Sequence, residues 1–296
     1  MLSIIKSIYL LGLKGYLVSS QVDVSSGIPN FEIVGLPDTT VKESKERIKT
    51  AIKNSNLDFP SRKIVVNLSP ASIRKEGSIF DLPIAVGILI ATGNIINPNL
   101  EEFLSQTIII GELSLNGNIE KINGILPICI EAKKLGIKRI LLPKANSEEA
   151  CIIDGIDILP VNNLSELADF FNGNSIIEKE KTINFNNTLN SIYEYDFSDV
   201  KGQENVKRAL EIAAAGGHNC LLIGCPGSGK TMLARRLPSI LPDISFEESL
   251  EVTKIHSICG LLSSENPIIT TRPFRNPHHS ITGVSLIGGG RIPIPR

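Results

Sequence analysis

Hydrophobic and polar residues alternate along residues 1–172 in a way that predicts both strands and helices. Strands are predicted at 17–24, 31–34, 63–68, 107–110, 139–142 and 156–159. Helices are predicted at 82–92, 125–135 and 164–171, and Gly136 closes the second of these. A further helix begins in the capping-box sequence Thr40-Val41-Lys42-Glu43 and places Val41, Ile48 and Ile52 on one face. This pattern predicts a compact α/β domain.

The regular alternation of hydrophobic and polar residues stops between residues 172 and 190. This segment contains Asn, Ser and Thr together with the alternating charges of Glu178 to Lys181. That composition is typical of a solvated linker. We therefore expect a first domain over 1–172, a linker over 173–194 and a second domain over 195–296. In the second domain a helix is predicted at 204–215, ended by two glycines, followed by an apolar strand at 220–223 and a helix at 230–237.

The segment between that strand and that helix matches the phosphate-binding pattern G-x-x-x-x-G-K-[ST] at every fixed position. Its residues are Gly224, Cys225, Pro226, Gly227, Ser228, Gly229, Lys230 and Thr231. In such a loop the glycines let backbone N–H groups face a phosphate. The lysine neutralises charge on the β- and γ-phosphates, and the hydroxyl of the following Ser or Thr ligates Mg²⁺. The positive end of the following helix faces the same anion. A chance glycine-rich turn is the alternative, and the flanking strand and helix count against it.

A phosphate-binding ATPase also needs a strand that ends in an acidic residue, which helps to hold Mg²⁺ and polarises the attacking water. No apolar run after Thr231 ends in Asp-Glu. The acids Glu247 to Glu251 have helical spacing instead, and no acid follows Glu265. The sequence therefore predicts a nucleotide site of which only half is present.

Composition restricts the partners and the cell compartment that the sequence allows. The net charge is −1 with 42% hydrophobic residues, so the whole chain has no basic field that would attract nucleic acid or an anionic membrane. The apolar stretch 82–96 is too short to cross a bilayer and predicts a buried helix. The 5 cysteines form no CxxC pair, which favours reduced thiols in the cytoplasm, and Cys220 and Cys225 are interpreted as small packing residues.

Several motifs carry a resemblance to a known family. The octet 196–203, placed before the phosphate-binding loop, resembles the entry to an AAA+ ATPase module. Residues 272–279 match R-P-F-R-x-P-H-H of the magnesium-chelatase-like branch. The sequences Ile33-Val34-Gly35-Leu36-Pro37-Asp38 and Phe80-Asp81-Leu82-Pro83 look like those of ComM/YifB proteins. This resemblance covers essentially the whole chain.

The resemblance implies a fold, cofactors and partners. In this α/β fold class an amino-terminal Lon-protease-like (ribosomal S5 domain 2-like) α+β domain precedes a P-loop AAA+ α/β module. ATP and Mg²⁺ are the implied cofactors, held by residues 224–231 and Met232, with Thr231 on the metal and Val200 and Gly202 against the adenine. Relatives form homo-oligomers, hexamers among them, and ComM-type proteins remodel DNA by branch migration.

In those relatives the run that residues 288–295 match is followed by a linker and by an apolar strand that ends in Asp-Glu. Arg296 ends the chain before that strand, so the resemblance implies an incomplete AAA+ module that binds ATP but hydrolyses it very slowly. A frameshift, a split gene and deliberate shortening all fit. The functional alternatives are a fragment of a DNA-remodelling motor, a non-catalytic nucleotide-binding or scaffold protein, and a metal-chelatase ATPase subunit.

The Lon-like resemblance raises the question of peptidase chemistry, which in that family needs a serine and a lysine. Here Ile79 stands at the serine offset, with Ser78 one residue early, and Leu126 stands at the lysine position. We therefore expect no catalytic residues in the amino-terminal domain, which leaves a scaffold that docks a partner or a neighbouring subunit.

Basic residues cluster near the carboxyl end of the chain, at Arg272, Arg275, His278, His279 and Arg291. A mobile loop that grips a DNA backbone and an ordinary Gly- and Pro-rich surface turn are both compatible with this sequence. A metal site is disfavoured because adjacent histidines on a strand point to opposite faces and no Cys or acid completes a ligand set.

Overall fold

A computed structural model describes residues 2–182, 193–263, 266–278, 280–283 and 288–289 of the chain. Its strands are β1 (Leu2–Leu11), β2 (Lys14–Ser25), β3 (Asn30–Val34), β4 (Lys63–Ser69), β5 (Thr107–Ile109), β6 (Glu112–Leu113), β7 (Ile119–Glu120), β8 (Arg139–Pro143) and β9 (Asp157–Val161). Its helices are α1 (Thr39–Asn54), α2 (Asp81–Thr92), α3 (Leu100–Ser105), α4 (Ile125–Lys134), α5 (Ser147–Ala150), α6 (Leu164–Phe171), α7 (Glu204–Gly216), α8 (Lys230–Arg236) and α9 (Phe246–Ile258).

Seven strands form one mixed sheet in the order β3-β4-β2-β1-β5-β8-β9. Strand β2 runs antiparallel to both β1 and β4, and the other neighbouring pairs are parallel. Strands β6 and β7 form a separate small hairpin. The α/β fold class is therefore confirmed, with a mostly parallel sheet in the amino-terminal part.

Helix α2 packs on strands β1 and β2 and is buried on nearly every side, as its continuous apolar sequence predicts. Gly87 lets the helix approach the sheet closely, because a Cβ built there would lie 2.6 Å from Cγ2 of Val22. The Ser3 hydroxyl donates to the Gly87 carbonyl at 2.8 Å across the same contact. Each fully buried Leu or Ile of this helix contributes about 1.5–3 kcal/mol, so α2 is a principal source of stability.

Helix α1 begins one residue before the predicted capping box, and that prediction is wrong. Asp38 is the amino-terminal cap, and its Oδ1 accepts a hydrogen bond from the Val41 amide at 2.8 Å. The predicted Thr40 cap would have accepted from the Glu43 amide, so the observed cap satisfies a different N–H group of the first turn. The apolar face was predicted correctly, because Val41, Ile48 and Ile52 are all buried.

Strand β1 was not predicted, although it pairs with β2 along its whole length. Residues 174–182, inside the expected linker, lie along β9: Ile177 is buried in the core and the Glu180 amide donates to the Ile158 carbonyl at 3.0 Å. Residues 183–192 of that linker are outside the described residues. The division into 1–172, 173–194 and 195–296 stays a prediction.

The carboxy-terminal part has a small core of its own, in which α7 and α8 pack around Phe197, Val200, Leu210 and Leu233. Helix α9 lies elsewhere, against α4 of the amino-terminal part. The strand predicted at 220–223 is not formed, because none of the described residues pairs with this segment and a strand is stable only within a sheet.

Candidate nucleotide-binding site

The phosphate-binding loop lies between α7 and α8, and its backbone has the conformation that glycine permits. Gly227 and Gly229 have positive φ angles of 79° and 84°. No atom lies within 4 Å of a Cβ built at Gly227, so the loop leaves open space on that side. A left-handed backbone at these positions turns consecutive N–H groups toward one point, which suits an anion.

Lys230 is the first residue of α8, and its ammonium group folds back over the loop. Its Nζ donates to the carbonyl oxygens of Gly224 at 2.9 Å and Cys225 at 2.7 Å, and contacts the Ser228 hydroxyl at 3.2 Å. These are neutral partners in an exposed site, so phosphate oxygens can replace them. The lysine, the loop glycines and the serine are therefore brought together as the motif predicts.

Thr231 and Met232 follow on the first turn of α8, and both are exposed. A single hydroxyl suits Mg²⁺, which keeps most of its water ligands and takes others from phosphate oxygens. Elsewhere in the described ranges, no group of three or more His, Cys, Asp or Glu side chains could hold a metal ion. The loop and Thr231 are therefore compatible with a magnesium–triphosphate complex.

The segment before the loop differs from the prediction. Leu221 and Ile223 are 83% and 86% exposed, as expected for an apolar segment that has no neighbouring strand. Cys220 and Cys225 are exposed too. The interpretation of both cysteines as packing residues is therefore wrong, because it assumed a strand buried in a sheet.

Val200 is a member of the small core, and Gly202 lies in the turn that leads into α7. Val200 is 2% exposed and packs with Leu233 of α8, while Gly202 has a φ of 71°. The next residue, Gln203, donates from Nε2 to the Ser228 carbonyl at 3.2 Å. Sequence reasoning did not single out Gln203 as a site residue, and its position next to Gly202 was the available signal.

Tyr195 and Arg236 stack beside this turn, with the guanidinium carbon 5.3 Å from the ring centroid. Arg236 also lies 3.5 Å from an Asp199 carboxylate oxygen. The Asp196 carboxylate caps the short 3₁₀ helix Phe197–Asp199, and these hydrogen bonds lower the pKa of Asp196. The turn that leads to Val200 is thus held by ionic and capping contacts.

The basic segment after α9 is partly pinned to its surroundings. Arg272 donates from Nε to the Pro242 carbonyl at 2.7 Å and pairs with Glu248 at 2.9 Å. Arg275 and His278 are exposed, and one Arg275 nitrogen lies 3.4 Å from the His256 ring. His279 and Arg291 are outside the described residues. Arg272 therefore acts as a structural contact rather than as a free cation.

The region that resembles the peptidase centre surrounds a cavity of about 340 Å³ lined in part by Ser78, Ile79, Glu112 and Lys121. The Ser78 hydroxyl is hydrogen bonded to the Glu112 carboxylate. The Lys121 ammonium donates to the Leu262 carbonyl at 3.3 Å. Leu126 is fully buried. Ser78 and Lys121 are thus each engaged in a contact other than a serine–lysine pair.

Comparison with known proteins gives two family matches. A model described as subunit ChlI of Mg-chelatase matches residues 20–146. A model described as magnesium chelatase, subunit ChlI, matches residues 196–296.

Three relatives have informative alignments. YifB of Escherichia coli, described as uncharacterised, is 41% identical over 294 residues, which cover 99% of this chain and 56% of that protein. Competence protein ComM of Haemophilus influenzae is 39% identical over 303 residues, covering 99% and 57%. The archaeal Lon protease of Methanocaldococcus jannaschii is 28% identical over 146 residues, covering 49% and 21%. The chain spans about half the length of YifB and ComM.

No helix in the part of the chain that the structure describes has the length and apolar character needed to cross a bilayer.

Proposed function

The chain belongs to the ComM/YifB family of magnesium-chelatase-like proteins, and from this premise we propose that it binds MgATP in the loop 224–231. One observation carries the proposal. The loop contains two left-handed glycines, and the Lys230 ammonium lies over it in contact with two carbonyl oxygens and one hydroxyl oxygen. The ammonium and a phosphate oxygen carry opposite charges, whereas the loop oxygens carry no net charge, so the exchange favours the nucleotide.

Each loop residue has a distinct part in this proposal. The N–H groups around Gly227 and Gly229 hold the β-phosphate, and the Lys230 ammonium moves from the loop carbonyls to the β and γ oxygens. The Thr231 hydroxyl would hold Mg²⁺ at one of its coordination positions, where the ion would supply positive charge to the triphosphate. Val200, Gly202 and Met232 contact the adenine and ribose side.

The wider role follows from the relatives and is also a proposal. We place the chain as the nucleotide-holding part of a ComM-type motor that assembles into a homo-oligomer, a hexamer in the full-length form, and works on DNA. Arg275 is an exposed cation and His278 an exposed hydrogen-bonding side chain, and both are suited to a phosphate backbone, whereas Arg272 forms an ion pair with Glu248. Any DNA contact is local, because the net charge of the chain is −1.

We further propose that the 296-residue chain by itself hydrolyses ATP very slowly. Several of the described acids that flank the loop in sequence are paired with basic side chains: Asp199 lies beside Arg236, Glu204 beside Lys207, Glu211 beside Arg208 and Glu248 beside Arg272. Hydrolysis needs a carboxylate that orders Mg²⁺ and the attacking water.

Calorimetric titration with MgATP tests the proposal on the wild-type chain, Lys230→Ala and the exposed control Lys138→Ala. We expect saturable binding to the wild type and the control, and at least about tenfold weaker binding to Lys230→Ala, since a hydrogen bond to a charged group is worth about 1.5–3 kcal/mol. Equal binding by wild type and Lys230→Ala would overturn it.

Phosphate release measured in the same samples, with and without single-stranded DNA, tests the wider role. We expect turnover close to background for this chain and DNA-stimulated turnover in a family member of full length. Brisk, Lys230-dependent turnover by the 296-residue chain would show that its own residues supply the missing base. If single-stranded DNA does not change phosphate release by the full-length protein, the scaffold alternative is favoured.

A further inference from the structure

The turn that leads into α7 contains two consecutive left-handed residues. Gly202 has a φ of 71°, which glycine adopts freely, and Gln203 has a φ of 55°, which a residue with a Cβ adopts rarely. Gln203 occupies the amino-terminal cap position of α7, yet its side chain makes no capping hydrogen bond. The Gln203 carbonyl starts the helix by accepting from the Val206 and Lys207 amides at 3.0 Å, so the uncommon conformation leaves the side chain for a separate use.

The exposed Gln203 amide contacts the phosphate-binding loop. Its Nε2 donates to the Ser228 carbonyl at 3.2 Å, although the two residues are 25 positions apart in sequence. The same nitrogen lies 3.4 Å from the place where a Cβ of Gly229 would sit, so the amide rests directly against the loop backbone. The left-handed turn is what aims the side chain at this point.

The hydrogen bond from Gln203 to the Ser228 carbonyl differs from the contacts of Lys230 in what happens to it when a phosphate binds. Lys230 must leave the Gly224 and Cys225 carbonyls before its ammonium can reach a phosphate, so those contacts are lost on binding. The Gln203 contact uses the Ser228 carbonyl, which is not one of the oxygens that Lys230 must leave, so this contact can persist. It ties the turn at Val200–Gly202 to the loop while the loop changes its partners.

We propose that Gln203 is a positioning residue that holds the phosphate-binding loop in its open shape and links it to the turn beside Val200 and Gly202. This inference rests on the proposed function, since it assigns a residue to the same site. It predicts that loss of the amide weakens binding of the triphosphate itself, because the effect is transmitted through the loop rather than through the adenine.

Two substitutions separate the amide from the backbone conformation. Gln203→Gly removes the side chain and fits the left-handed backbone, and Gln203→Asn keeps an amide that tolerates this backbone but is one methylene too short to reach Ser228. Glu204→Gln, at the neighbouring position on α7, is the matched control. We expect both Gln203 variants to melt no lower than the wild type. We also expect both to bind MgATP and inorganic triphosphate about fivefold more weakly, as loss of one hydrogen bond predicts.

The outcomes separate this inference from the proposed function. Unchanged affinity of both Gln203 variants overturns the inference and leaves MgATP binding intact. Weaker binding of MgATP alone, with triphosphate unaffected, also overturns it, because the residue would then act on the adenine side. If the wild type binds neither ligand, the proposed function fails, and amide hydrogen exchange of 225–230 without nucleotide decides the inference. Faster exchange in both variants supports it, and unchanged exchange contradicts it.

Discussion

Arg47 and Asp81 form a two-bond ion pair between α1 and the first residue of α2. Arginine Nε lies 2.8 Å from Oδ2 and Nη2 lies 3.2 Å from Oδ1, and Asp81 is only 1% exposed. Burial raises the pKa of Asp81 to about 6, although the Arg47 guanidinium opposes that rise. An acid whose pKa is raised by folding holds its proton more tightly in the folded state, so its contribution to stability falls as pH rises from about 4 to about 6.

Substitution of Arg47 tests this pair and its pH dependence. Arg47→Leu leaves the buried carboxylate unpaired, and we expect a loss of about 3 kcal/mol in the free energy of unfolding at pH 8. The loss should shrink below pH 6, where Asp81 is protonated in both proteins. Urea denaturation from pH 5 to pH 8 measures it, with Arg47→Leu/Asp81→Asn as the control in which this dependence disappears. A pH-independent loss would mean that the arginine acts through packing of its methylene groups alone.

Helix α9 has a buried face of small hydroxyl residues, and its carboxyl end contacts the amino-terminal part of the molecule. Ser249, Thr253 and Ser257 are buried at four-residue intervals. The Ser257 hydroxyl is hydrogen bonded to the Glu149 carboxylate, and the Ser257 carbonyl accepts from the Gly124 amide at 3.1 Å. Burial raises the pKa of Glu149, although its hydrogen bonds oppose that rise. These contacts fasten the helix to the start of α4.

Removal of the Ser257 hydroxyl should loosen this attachment. We expect Ser257→Ala to lower the free energy of unfolding by about 1 kcal/mol, the net value of one hydrogen bond, and to accelerate amide exchange over 246–258. Glu251→Ala, on the exposed side of the same helix, is the control and should change neither quantity by much. Equal behaviour of the two variants would show that α9 is held by apolar contacts such as those of Leu250.

Elements with a regular apolar period were predicted well, and those that depend on buried polar groups or on partners were not. Strand β1 was missed because Ser3 and Ser7 point inward and donate to the carbonyls of Gly87 and Ile109, which breaks the expected alternation. The docking of α9 left no apolar signature either, since its buried face is Ser and Thr. The phosphate-binding loop was found because its chemistry depends on fixed residue spacing. The segment 220–223 was misjudged because its strand requires a neighbour.

At the scale of the whole molecule, the amino-terminal part holds almost all of the buried apolar residues. Two large clusters pack on the faces of the seven-stranded sheet, and Ile268 from beyond α9 joins one of them. The core around Phe197 and Val200 has only four buried members in the described residues. Local stability follows buried apolar contact, so the nucleotide-binding part should open more readily than the sheet. A ligand that binds there should therefore produce a local gain in protection.

Amide hydrogen exchange of the wild-type chain and Lys230→Ala, with and without MgATP, is the most direct test of whether the loop 224–231 holds a triphosphate. We expect MgATP to slow exchange in the wild type over 200–203 and 224–236 and to leave the sheet residues 107–161 unchanged. Lys230→Ala should show no such slowing at the same nucleotide concentration. Absence of slowing in the wild type, or equal slowing in both proteins, would contradict the claim that this loop holds a triphosphate.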